Sequence, residues 1–192
     1  MKTQNQTMLS ENTLTSRPTD IIAGFPVRPG FFELNGATPL SNGVNFTAHT
    51  RHGTSCELLL FHSGEEEPFA VLPFPNACRI GDVYSMIVMG LDIEDLEYGY
   101  RIDGPYEPEK GHIFDKTKVL LDPYAKAVAG QREWGQQKIG SYHARVVRDS
   151  FDWEDMPQST RKISDLIIYE LHVRGFTQDS SSGVMHPGTF AG

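Results

Sequence analysis

The sequence predicts an all-β fold, an antiparallel β-sandwich, followed by a linker and one strand of a parallel barrel. Three observations carry this expectation. Between Asn35 and Ile102, short runs that alternate apolar and polar residues are separated by Gly, Pro and Asn, the grammar of antiparallel strands and turns. Helical periodicity is absent from the same stretch. Near the end, Ile167 to Phe176 alternates again but begins with consecutive aliphatics, as a strand buried on both faces does.

Taken in order, Met1 to Asp20 is Thr, Asn, Gln and Ser with scattered charge, and its lack of periodicity predicts a disordered arm. It lacks the apolar run of a signal-peptide core, so a cytoplasmic protein is expected. No apolar run approaches the ~18 residues of a membrane span. Order is expected from Phe25-Pro26-Val27-Arg28-Pro29-Gly30, where two prolines favour extended backbone. Phe31 to Leu34 follows as a short edge strand, and Asn35-Gly36 marks a turn.

Val44 to His49 is the next strand, with Val44, Phe46 and Ala48 facing inward. Cys56 to Phe61 follows the Arg51-His52-Gly53 turn, and Glu65-Glu66-Glu67 reads as a solvated hairpin tip. Phe69 to Phe74, Val83 to Val88 and Tyr98 to Ile102 supply further strands. Residues 21–107 thus make a sandwich of roughly 80 residues, close to the immunoglobulin-like size.

After Gly104-Pro105 the grammar changes. Asp122 as a capping carboxylate, Pro123 at the first helical position and Gly130 just past the end predict a short helix. It lies in a linker, residues 108–164, whose stretch from Gln131 to Lys162 is polar and carries Trp134 and Trp153. From Asp165 the barrel strand begins. Ile168, Glu170, His172 and Arg174 share one face, and Ile167, Tyr169, Leu171 and Val173 the other. Burying three ionisable groups without partners costs several kcal/mol, so Glu170, His172 and Arg174 are expected to satisfy one another inside a barrel. Such ion networks are often structural rather than catalytic. A (β/α)8 barrel takes about 250 residues by itself. With 192 in hand, the expectation is the front portion of a longer protein.

Composition narrows the partners. Lys and Arg number 17 against 25 Asp and Glu, a net charge of −8, and no basic cluster interrupts the acidic balance. A nucleic-acid backbone or an anionic membrane is thereby disfavoured, and a neutral ligand fits better. Cys56 and Cys78 lack metal-ligand spacing and read as small buried thiols, with a disulfide between them as the alternative. His112, His143 and His186 are isolated, so no metal site is expected. Phosphate-binding glycine loops, GxSxG and CxxC are absent. No cofactor is expected.

Three stretches carry a family resemblance: Tyr98-Gly99-Tyr100-Arg101-Ile102-Asp103-Gly104-Pro105-Tyr106, the run from Gly111-His112 through Leu120-Leu121-Asp122-Pro123-Tyr124-Ala125-Lys126, and Tyr169-Glu170-Leu171-His172-Val173-Arg174-Gly175-Phe176-Thr177. In this order they resemble isoamylase-type glycogen debranching enzymes of the α-amylase superfamily (glycoside hydrolase family 13). Those enzymes carry an N-terminal β-sandwich of the family 48 carbohydrate-binding type. The likeness runs from about Phe25 to Gly192. Gly175 after Arg174 favours the isoamylase branch, because related pullulanases carry Asp there and branching enzymes lack the His-Val-Arg sequence.

The resemblance implies retaining hydrolysis of α-1,6 glucosidic branches by two carboxyls about 5 to 5.5 Å apart. These sit at the C-terminal ends of later barrel strands, so it assigns no catalytic residue within this chain. It implies α-glucan as partner (glycogen, amylopectin or maltooligosaccharide) and a sandwich that packs on its barrel. Glucose presents an apolar C–H face that stacks on indole or phenol. Of the aromatics outside the strand runs, Trp134, Tyr106, Tyr142 and Trp153, the candidate carbohydrate-binding residues are Trp134 and Tyr106. The competing role for each is sealing the sandwich against the barrel. The alternatives for the whole are a stand-alone α-glucan-binding or regulatory module, a domain that only packs on its barrel, or the N-terminal part of a pullulanase or branching enzyme.

Overall fold

A computed structural model describes residues 17–130, 142–148, 152 and 161–192. The chain divides into two compact units, Met1–Asp149 and Ser150–Gly192. In the first, the strands in order are β1 (Asp20–Ile22), β2 (Phe25–Pro29), β3 (Gly36–Pro39), β4 (Gly43–His49), β5 (Ser55–His62), β6 (Ala70–Pro73), β7 (Arg79–Ile80), β8 (Val83–Met89), β9 (Leu96–Asp103), β10 (Tyr106–Glu107), β11 (His112–Ile113), β12 (Ala127–Ala129) and β13 (His143–Arg145). One sheet runs β1-β2-β8-β4-β3, with β7 also on β8; the other runs β12-β13-β9-β5-β6, and β10-β11 is a separate hairpin. Every pairing is antiparallel.

The core follows from alternation. Val44, Phe46 and Ala48 of β4 point inward as expected, against Leu58 and Leu60 of β5, Met86 and Val88 of β8, and Tyr98 and Tyr100 of β9. The Phe46 and Tyr98 rings meet edge to face at 5.1 Å across the two sheets. Cys56 and Cys78 are buried and unbridged. Burial pushes the Cys56 thiol up to about 12, with Glu57 adding to the effect, and the Cys78 thiol up to about 11. Both are inert as nucleophiles in this state.

Four expectations are corrected. Phe31 to Leu34 is a turn, not an edge strand: Leu34 N donates to Phe31 O at 3.1 Å, and Phe31 N donates to the side-chain oxygen of Asn45 at 2.8 Å. The strand lies just before it, at β2. Asn45 and Thr47, on the outer face of β4, are consequently buried; Asn45 donates to the Thr47 hydroxyl at 3.0 Å, which pairs with Ser85 at 2.7 Å. Gly30 makes this close approach possible, since a Cβ there would lie 2.8 Å from Met86 N.

The helix expected at Asp122 to Gly130 does not form. Asp122 uses its carboxylate to accept from Tyr124 N at 2.8 Å, and Ala125 N donates to Asp122 O at 3.1 Å. The capping chemistry thus closes an Asx-type turn, after which Ala127–Ala129 pairs with β13. Two elements of the expected linker therefore complete the second sheet. At the other end, Asp20 belongs not to an arm but to β1, where it pairs with Val27; residues 1–16 of the expected arm lie outside the described residues.

The fourth correction concerns the second unit. Ile167 to Phe176 is not a strand: residues 166–172 lack regular structure and Val173–Phe176 is a single helical turn, α1. A strand needs a neighbour for its backbone groups, and no strand is assigned to this unit among the described residues. His172 caps α1, its Nδ1 accepting from Gly175 N at 3.0 Å. Glu170, His172 and Arg174 are exposed, so they do not form the expected buried set. Thr177 is buried, its hydroxyl accepting from Gly188 N at 2.7 Å.

Candidate functional site

The β10–β11 hairpin stands on the loop that leaves β9. Directly after Asp103, Gly104 lets the Phe114 ring lie against the backbone, where a Cβ would approach Phe114 Cγ to 2.6 Å. Tyr106 then pairs with Ile113 and Glu107 with His112. The turn closes through a 3-10 segment, Pro108–Lys110, and Gly111 at φ 80°, a left-handed conformation that favours glycine. The His112 ring meets His52 edge to face at 4.6 Å, which ties the hairpin to the β4–β5 turn. Tyr106 is 71% exposed and Ile113 69%. Directly opposed residues share a face, so the two form a small apolar strip in solvent.

A cleft of about 610 Å³ is lined by the polar residues Ser55, Glu57, Arg101, Asp103, Lys116 and Thr117. Its floor is a register consequence. Ser55 pairs with Asp103 and Glu57 with Arg101, while the intervening Cys56 and Ile102 belong to the core side. Lys116 and Thr117 come from the loop after the hairpin. Asp115 accepts from Thr117 N at 3.0 Å and from the Thr117 hydroxyl at 2.6 Å; these bonds, with Lys118 nearby, hold its carboxyl below the usual carboxylate range. Lys116 Nζ lies 3.8 Å from Asp103. Arg101 Nε is buried without a hydrogen-bond partner, an arrangement that costs about 1–3 kcal/mol when nothing satisfies it.

Two other polar groups are structural in their geometry. The Tyr98 hydroxyl donates to Asp122 at 2.8 Å, and burial holds the Asp122 carboxyl above its ordinary range. His143 Nδ1 lies 3.1 Å from Glu97, which also accepts from Gly64 N at 3.1 Å. The His143 ring stacks on Phe61 at 3.8 Å. Among the described residues, no three His, Cys, Asp or Glu side chains gather as a metal site would require.

Of the aromatics singled out in the sequence, Tyr106 is exposed and Tyr142 is half-buried. Trp134 and Trp153 lie outside the described residues. The cleft itself was missed. Its signal was present in the polar members of two alternating strands, Ser55 and Glu57, Arg101 and Asp103, but only the register shows that they are opposed.

The family model for carbohydrate-binding module 48 (isoamylase N-terminal domain) matches residues 35–125. The module holds β3 through β11 and the whole cleft. The chain is 36% identical over 184 residues to the chloroplastic isoamylase SU1 of Zea mays, covering 90% of this chain and 22% of the relative. It is 32% identical over 170 residues to a glycogen debranching enzyme of Yersinia enterocolitica, covering 78% and 24%. The chain therefore spans less than a quarter of these relatives. Among solved structures, a pullulanase from Paenibacillus barengoltzii in complex with maltohexaose and α-cyclodextrin matches with a TM-score of 0.59 and 22% identity, over 81% of this chain and 22% of that one. The GBS pullulanase SAP in complex with maltotetraose matches at 0.54 and 25%, over 84% and 21%. The sandwich architecture of the module is thus shared with pullulanases. Among the described residues no helix is long and apolar enough to cross a membrane.

Proposed function

We propose that this chain is the α-glucan-engaging N-terminal region of a debranching glycoside hydrolase that cleaves α-1,6 branch linkages. The observation that carries the reading is an exposed phenol, Tyr106, opposed to Ile113 on the β10–β11 hairpin, in a module of the isoamylase N-terminal type. A large aromatic held in solvent on a tied-down hairpin contributes little to its own core. Its ring suits the apolar C–H face of a glucose unit. Trp134 is the second candidate platform. Hydrolysis belongs to the barrel of the whole enzyme, by a retaining two-carboxylate mechanism. The module packs on that barrel. The proposed compartment is the cytoplasm, although the Zea mays relative is named chloroplastic.

Calorimetric titration with maltoheptaose tests the glucan reading. Saturable heat is expected, and even millimolar affinity, about −4 kcal/mol, suffices to make the module a working binder. Tyr106→Ala should weaken it. Absence of heat, together with no competition by glycogen, overturns the reading in favour of a packing domain.

A further inference from the structure

We infer that His52 and His112 form a two-imidazole site for a divalent transition-metal ion of the Cu²⁺ or Zn²⁺ class, which staples the β10–β11 hairpin to the β4–β5 turn. His112 has no ligand neighbour in sequence and gains one only through the fold. The two rings meet with 61° between their planes and centres 4.6 Å apart. One shared ion imposes a similar spacing: with each ring nitrogen about 2.0–2.1 Å from the metal, two imidazoles in adjacent coordination positions have centres roughly 4.5–5.2 Å apart. Imidazole nitrogen suits Cu²⁺ and Zn²⁺, which stand high in the affinity order of the divalent first-row ions. No third His, Cys, Asp or Glu gathers there among the described residues, so water completes the coordination.

Two features set this pair apart from other histidines of the chain. The rings of His62, His143 and His172 engage Nδ1 with partners of their own, Asp95 at 2.8 Å, Glu97 at 3.1 Å and Gly175 N at 3.0 Å. Among the described residues, no hydrogen bond engages the ring of His52 or His112. A neutral imidazole keeps one nitrogen lone pair for an acceptor role, so each ring can ligate without giving up a structural bond. The second feature is the backbone of His52, whose φ of 69° is a left-handed conformation that a residue with a Cβ adopts at a cost. Glycine would serve the turn better at that position; the imidazole is what the turn gains instead. Both ligands are held in place beforehand. Thr50 N donates to Asp82 O at 2.9 Å and Arg79 Nη2 to Gly53 O at 3.2 Å on either side of His52, while His112 sits opposite Glu107 in the hairpin ladder. Preorganised groups lose little freedom on binding. The site stands whether or not the module binds glucan.

The test is calorimetric titration with ZnCl₂ of the full chain, stripped with EDTA and free of any affinity tag. Saturable heat is expected. His52→Asn, which tolerates the left-handed turn, and His112→Gln are first checked for folding by circular dichroism. Each should weaken binding at least about tenfold, the lower end of what loss of even an outer-shell partner costs a metal site. His186→Gln should leave binding unchanged. In NMR spectra, substoichiometric Cu²⁺ should broaden the amides of His52 and His112 first. The inference fails if the wild-type chain takes up no Zn²⁺, if both variants bind as the wild type does, or if the broadening centres on His49, His62 or His186.

Discussion

Two segments of this chain carry the same alternating pattern and meet opposite fates. In β5, Leu58 and Leu60 are removed from solvent completely, beneath β4 and β8 of the facing sheet. In Ile167 to Phe176, Ile167 is 100% exposed and Ile168 77%. Alternation states what a strand is able to bury. Whether it does so is decided by a neighbour that supplies both ladder hydrogen bonds and a facing surface. β5 has β9 and β6 on its two edges; among the described residues the later segment pairs with no strand.

The contrast is open to direct attack. Leu60→Ala should destabilise the sandwich by about 2–5 kcal/mol, read as a fall in the urea midpoint, while Ile168→Ala should change it by no more than about 0.5 kcal/mol. A comparable loss from Ile168→Ala would break the comparison. Gly99→Ala comes next. A Cβ there would stand 2.6 Å from Val119 Cγ1 and 3.3 Å from Leu120 O, and overpacking of this kind costs about 1–3 kcal/mol. The adjacent glycine contrast sharpens the point, because Gly175 faces only His172 atoms at 3.5 Å or more and its replacement should leave the sandwich transition unmoved.

Tyr98→Phe removes the hydroxyl that donates to buried Asp122 and should cost about 1–3 kcal/mol. Asp122 also gives the comparison a pH signature. Burial raises its folded-state pKa above 3.8, despite bonds from Tyr124 and Tyr98 that pull it down. The folded state therefore binds more protons than the unfolded state within that window. The stabilising contribution of Asp122 is fully present below about 3.8 and is lost as pH rises through the raised value. Subtracting the urea midpoints of Asp122→Asn from those of the wild type between pH 3 and 7 should yield a difference that falls with pH; a flat or rising difference would refute the assignment. The smallest effect is expected from Lys110→Ala on the exposed Lys110–Glu107 pair, 3.2 Å apart, within about 0.5 kcal/mol.

Legibility tracked the range of the forces involved. The strands β4, β5, β8 and β9 were readable because their inward residues, Val44 and Phe46 for example, are set by a period of two that needs no knowledge of partners. The solvated Glu65-Glu66-Glu67 tip and the buried thiols followed from local polarity and size. Asp122 misled. Its cap, proline and terminal glycine satisfy the rules for a helix start and stop, yet the same carboxylate closes a turn as readily, and pairing with β13 makes the strand the better use of Ala127–Ala129. Phe31 misled likewise, because nothing local announces that Asn45, fourteen residues on, will take its amide.

Of the candidate site, Tyr106 was visible as an aromatic outside the strand runs, and its family context was visible in the surrounding motif. The cleft was not. What the sequence determined by itself was which residues prefer water, which alternate, and which turns glycine permits, since these depend on a residue and its near neighbours. Only the tertiary structure decided that Ser55 opposes Asp103 and Glu57 opposes Arg101, that Lys116 returns beside them, and that Ile167 to Phe176 stays uncovered. Register and burial depend on distant partners, and no single stretch of chain contains its own neighbour.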